Sequence, residues 1–271
     1  MKARWLLPIL ALTACASLLL AVTVGSTHIG AGKALGALIS DQDPMVRQII
    51  LELRLPRALN AFCTGGLLAL AGALMQVLLR NPLADPFVLG VSGGAAVAAL
   101  AAMLAGLGGW MIDASAAGGA MTATLLVFGL SHGRGGWTPQ RLLLTGVVVA
   151  AGAGAVVSLL LSLGEDTRLR GMLFWLMGDL SFASFSCTPP VVLLVVGVLA
   201  MAGARDLNVL ARGDLAAQSL GVPLQPARIA LFCATSALTA AAVTTAGSIG
   251  FIGLLTPHLV RLMSGSDHRT L

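Results

Sequence analysis

Two stretches of this chain, 180–204 and 229–257, contain no Asp, Glu, Lys, Arg or His. A helix rises 1.5 Å per residue, so either stretch exceeds the roughly 30 Å hydrocarbon core of a bilayer. Further uncharged runs cover 5–25, 58–79, 87–112, 114–131 and 142–164, separated by short polar loops. Transmembrane barrel strands would be runs of about ten residues with alternating polarity, which these are not. Charged residues make up 10% of the chain and mean hydropathy is +0.94, whereas soluble domains carry about a quarter charged residues. The expectation is an all-α, polytopic helical membrane protein of about eight spans, forming one domain over 1–271.

The spans are rich in small residues, with 33 Gly in the chain. Gly90 and Gly94, then Gly146, Gly152 and Gly154, suit helices packed closely in lipid. Cys15, Cys63, Cys187 and Cys233 fall singly in separate runs without C-x-x-C, and read as buried filler rather than as a metal site. Lys2 and Arg4 before the first run fit an uncleaved first span better than a signal peptide. With the N-terminus in the cytosol, ten of the 16 basic residues fall in inside loops. The positive-inside bias thus accounts for the net charge of +5 without invoking nucleic acid. Gly30-Ala31-Gly32-Lys33 grazes a phosphate-binding loop, but the spacing fails and Ala34 replaces the required Ser or Thr.

Between the two longest uncharged stretches lies a polar segment, 205–228, with Arg205, Asp206, Arg212, Asp214, Gln218, Gln225 and Arg228. Asp214 is placed to cap a new helical turn. Leu215, Ala216, Ala217 and Leu220 follow, Gly221 supplies a left-handed C-terminal cap, and Pro223 stops continuation. Such a short helix is marginal alone. It reads either as a surface for a cytosolic partner or as an ordinary solvated connector.

Earlier, Arg54-Leu55-Pro56-Arg57 opens the second span, with Pro56 suited to a helix's first turn. Two arginines at a helix N-terminus oppose its dipole, so they serve either lipid phosphates or carboxylates of a docking partner. Arg80-Asn81-Pro82-Leu83-Ala84-Asp85-Pro86 is a rigid turn. The segment 172–179 is too short to span and reads as a re-entrant or surface helix. A short eighth piece covers about 250–263. No Asp, Glu, Lys or Arg sits mid-span, where one would cost at least about 2.5–3.5 kcal/mol. That pattern opposes proton coupling and, more weakly, sodium coupling, and offers no channel filter.

In their order along the chain, several segments resemble the permeases of bacterial ATP-binding-cassette importers for ferric siderophores, haem and vitamin B12, the FecCD-like permeases. They are Arg54–Arg57, Gly72-Ala73-Leu74-Met75-Gln76, Arg80–Pro86, Leu89-Gly90-Val91-Ser92-Gly93-Gly94-Ala95, Trp175-Leu176-Met177-Gly178, Leu220-Gly221-Val222, Gly250–Leu255 with Pro257-His258, and Asp267-His268-Arg269. The resemblance implies a permease dimer in the bacterial inner membrane, as a homodimer or with a close paralogue. It implies two cytosolic ATPase subunits that bind the ATP, a periplasmic substrate-binding protein, and no catalytic residue, metal or cofactor on this chain. Carried over by position, Asp214, Leu215, Ala217, Leu220, Gly221 and Val222 belong to the coupling helix that meets the ATPase. Arg54 and Arg57 are similar to the arginines that meet the binding protein. Thr138, Gln140, Arg141, Thr145 and Gly146 resemble the cytoplasmic gate and path, although Pro139 and Gln140 stand where small hydroxyl residues occur in the family. Family members continue for about two further spans of a pattern of about ten, which implies C-terminal truncation here.

The expected function is therefore that of an importer permease for an iron chelate or cobalamin. The alternatives are an ion-coupled secondary transporter using backbone carbonyls, and a truncated membrane protein that does not transport.

Overall fold

The computed structural model describes residues 3–25, 29, 30, 32, 36, 43–132, 137–180, 186–265 and 267. Lys33, Asp41, Arg134, His268 and Arg269 therefore lie outside the described residues. Those described form eleven α-helices and no strand. The first six are α1 (Ala3–Thr23), α2 (Pro44–Leu79), α3 (Val91–Leu104), α4 (Trp110–Leu130), α5 (Pro139–Leu163) and α6 (Asp166–Met177). The rest are α7 (Thr188–Ala202), α8 (Ala204–Leu210), α9 (Asp214–Ser219), α10 (Leu224–Ala246) and α11 (Ile252–Ser264).

Eight of these correspond to the eight runs. By length and composition, α2, α4, α5 and α10 reach span size, and α7 with α8 make a fifth if their 69° bend is one broken span. The third run does not form the single span expected over 87–112. A 3-10 turn at Pro86–Leu89 precedes Gly90 in the left-handed region, and α3 stops at Leu104. Gly106 and Gly109, both at positive φ, then turn the chain into α4. Gly90 is thus a turn residue, and it also lies close against Val149 and Ala150 of α5. Gly94 keeps the packing role, lying against Gly119 of α4.

Pro56 does not start a helix either. Helix runs unbroken from Pro44 to Leu79, with a π-helical segment at Ile49–Arg54 immediately before it. Proline lacks an N–H and its ring crowds the carbonyl four residues back; the wider π turn accommodates both. The argument that Arg54 and Arg57 oppose a helix N-terminus loses its premise here.

The centre of the bundle is α2 against α10. Leu67, Leu68, Ala71, Leu74 and Met75 of α2 and Phe232, Leu238, Ala242 and Val243 of α10 are buried in one cluster. Helix α11 closes over α2 where Gly72 faces Gly253. A Cβ on Gly72 would collide with the Gly253 carbonyl, so only glycine permits this approach. By contrast α5 and α7 leave large apolar side chains exposed, among them Leu144, Val148, Leu159, Leu194 and Leu199. Such surface belongs in lipid or against another membrane helix. Of the cysteines only Cys63 is buried. Cys15, Cys187 and Cys233 are exposed, so the expectation of buried filler holds for one of the four.

Candidate coupling and gating site

Helix α9 is held as a separate small unit. Its C-terminus carries both bonds of a Schellman motif, Val222 N–H to the Ala217 carbonyl at 2.9 Å and Gly221 N–H to Gln218 at 3.1 Å. Gly221 adopts φ +78° to allow this. Ala217 and Val222 are buried beneath the turn, while Leu215 and Leu220 are 85% and 60% exposed. The helix therefore turns leucines outward on a segment otherwise rich in charge.

Asp214 does not cap this helix. The N-cap is Gly213, without a side-chain bond, and the Asp214 carboxylate is taken by two arginines. One oxygen pairs with Arg80 at 2.9 Å and the other with Arg228 at 2.8 Å. Both carboxylate oxygens are committed to the arginines, and Asp214 is the first helical residue, which leaves the N-cap position to Gly213. Arg80 ends α2 in the left-handed region, φ +50°, and Arg228 lies in the first turns of α10, 8% exposed.

The segment expected to form the gate begins one residue after a contact of this ion cluster. Arg228 also donates to the Trp137 carbonyl at 3.0 Å, joined by Gln225 at 3.5 Å. Trp137 is fixed from behind: its indole N–H donates to the Phe128 carbonyl at 2.9 Å, and its ring lies 4.3 Å from that of Phe128. Thr138 follows as the N-cap of α5, its hydroxyl accepting from the Arg141 N–H at 3.3 Å, with Pro139 in the first turn. Gln140 and Arg141 are exposed and Thr145 is half-buried. Gly146 is buried against the Val88 carbonyl, too close for a Cβ.

Arg54 and Arg57 lie at the opposite end of the 25-residue stretch Leu55–Leu79 from Arg80, roughly 37 Å away at helical rise. Arg54 donates to the Val22 and Thr23 carbonyls, both at 3.0 Å, and so caps α1 with favourable charge. Arg57 is exposed and donates to the Leu180 carbonyl at 3.3 Å.

In the turn after Arg80, the Asp85 carboxylate accepts from the Phe87 N–H at 2.8 Å, and burial pushes its pKa up. Among the described residues no three His, Cys, Asp or Glu side chains converge as a metal site. The sequence reading missed the roles of Arg80, Arg228 and Trp137. The only local signal was that each borders a polar turn.

A helical bundle with apolar spans and a separately anchored helix at one end defines the class: a polytopic helical membrane protein. The chain belongs to the FecCD transport family, whose profile matches residues 11–271. The uncharacterized ABC transporter permease protein YvrB of Bacillus subtilis is 38% identical over 274 residues, covering 94% of this chain and 76% of that protein. The vitamin B12 import system permease protein BtuC of Salmonella typhi is 36% identical, covering 99% of this chain and 80% of the relative. A metal-chelate-type ABC transporter solved in an inward-facing conformation superposes with a TM-score of 0.86 at 29% identity, over 98% of this chain and 84% of that one.

Proposed function

We propose that this chain is the permease subunit of an ATP-binding-cassette importer that carries an iron chelate (siderophore or haem) or cobalamin across the bacterial inner membrane. The B12 permease and the metal-chelate transporter among its relatives support that substrate class. The observation that carries the mechanism is α9: a capped helix, tied to α2 and α10 through Asp214, with Leu215 and Leu220 turned outward. It is the contact for a cytosolic ATPase subunit, one for each of two permease copies, and ATP binds there and not on this chain. The N-terminus then faces the cytosol. Arg57, with Arg54 beside it, faces the periplasmic binding protein, and the α5 head from Thr138 to Gly146 forms the gate. ATP binding draws the ATPase subunits together and displaces α9. Moving a two-state bundle from 1:99 to 99:1 requires about 5.5 kcal/mol of differential binding.

The test is uptake into proteoliposomes containing the permease, its ATPase and its binding protein. Uptake should require ATP and survive an ionophore. Uptake that persists without ATP and collapses with the ionophore would establish the ion-coupled alternative instead. Offering ferric siderophore, haem and cobalamin in turn identifies the cargo.

A further inference from the structure

The Arg228 side chain divides its two terminal nitrogens between different parts of the molecule. One donates to Asp214 on α9 at 2.8 Å, the other to the carbonyl of Trp137 at 3.0 Å, one residue before the N-cap of α5. A guanidinium is a planar, rigid fork, so the two acceptors are held at a fixed separation. Arg228 is 8% exposed, so its own end of both bonds lies largely out of water.

Slack is removed at each end. Asp214 is held from its far side by Arg80. Trp137 is held from its far side by the Phe128 carbonyl and ring, and Thr138 and Pro139 stiffen the first turn of α5.

We propose that Arg228 is the positioning residue that joins movement of α9 to the head of α5, so that the two shift as one body. This rests on the reading of α9 as the ATPase contact. Arg80 ties the same carboxylate to α2 and has no bond to Trp137, which makes it the internal control.

Arg228→Lys keeps the charge and the pair with Asp214, but a single ammonium cannot hold both acceptors in this geometry. In the reconstituted complex with ATPase and binding protein, Arg228→Lys should leave assembly and thermal stability near wild type. Substrate moved per ATP hydrolysed should fall about tenfold, within the range typical of coupling between sites. Arg80→Gln should keep at least half the wild-type ratio. A wild-type ratio in Arg228→Lys overturns the proposal. So does an equal fall in both variants, which would indicate general loosening of α9. A wild-type permease that never assembles with an ATPase would refute the proposed function itself, a separate result.

If Arg228→Lys fails to fold, spin labels at Gln218→Cys and Gln140→Cys, in a background without the native cysteines, supply the answer. Their separation should stay constant between nucleotide-free and ATP-trapped complexes, while the Gln218-to-Gln218 separation between the two copies changes. A changed Gln218–Gln140 separation overturns the proposal.

Discussion

Replacing Gly221 with Val acts on α9 through the backbone alone. Gly221 sits at φ +78°, and a Cβ there would meet no atom within 4 Å, so no steric clash with a neighbour contributes. An L-residue in the left-handed region costs roughly 1–2 kcal/mol, and a β-branched one lies at the upper end. If the backbone instead relaxes to negative φ, the bonds from Gly221 to Gln218 and from Val222 to Ala217 are lost, at about 0.5–1.5 kcal/mol each. Either route gives a similar loss, and 1–2 kcal/mol is a factor of about 5–30 in a two-state population. Helix α9 has only six residues, so its persistence depends on this cap and on the Asp214 pairs rather than on propensity. Hydrogen exchange at the amides of Ala217, Leu220, Gly221 and Val222 should therefore accelerate about 5–30-fold in Gly221→Val. Gly221→Ala should show a smaller rise, and permease-stimulated ATP hydrolysis should fall in the same order. Unchanged exchange together with unchanged stimulation in Gly221→Val would refute the reasoning.

Four further outcomes follow from the same contacts. Gly72→Val should destabilise the protein by about 1–3 kcal/mol, read as lowered Tm in detergent, because its side chain meets the Gly253 backbone. Arg80→Gly should leave Tm nearly unchanged: it relieves left-handed strain at φ +50° while giving up a half-exposed ion pair worth about 0–1 kcal/mol. Asp85 has a folded pKa raised by burial, so its protonation favours the folded state. Stability should rise as pH falls through that raised pKa toward the ordinary carboxylate value, and Asp85→Asn, which keeps the turn's acceptor, should flatten the dependence in Tm-against-pH scans. Arg57→Glu should weaken binding-protein affinity, and the difference from wild type should shrink with added salt; equal affinities would assign Arg57 to lipid contact. It is a cleaner probe than Arg54→Glu, which would also uncap α1.

What was legible in the sequence depended on range. The Gly221 cap, the turn at 80–86 and the short piece expected over about 250–263 are set by residues adjacent in the chain; the structure has the cap, the turn and a helix at Ile252–Ser264. One partner of Asp214, Arg80, lies 134 residues away at the end of another helix and the other, Arg228, 14 residues away on α10, so the local rule for an N-cap was applied and failed. Pro56 shows a second limit: the rule that proline begins helices competes with a π turn that carries it inside one. Unbroken apolar composition over 87–112 likewise hid the glycines at 90, 106 and 109 that divide it into a turn, α3 and the start of α4. The coupling and gate segments were proposed by resemblance. That Arg228 bonds both Asp214 and the Trp137 carbonyl, one residue before Thr138, was not legible.

The most direct test of power delivered through α9 is cysteine cross-linking at Leu215, which is 85% exposed. In the assembled complex, Leu215→Cys should cross-link to a cysteine in the ATPase surface, with a yield that changes on ATP trapping. Absence of any ATPase adduct from Leu215→Cys in a complex that still imports its substrate would contradict the account.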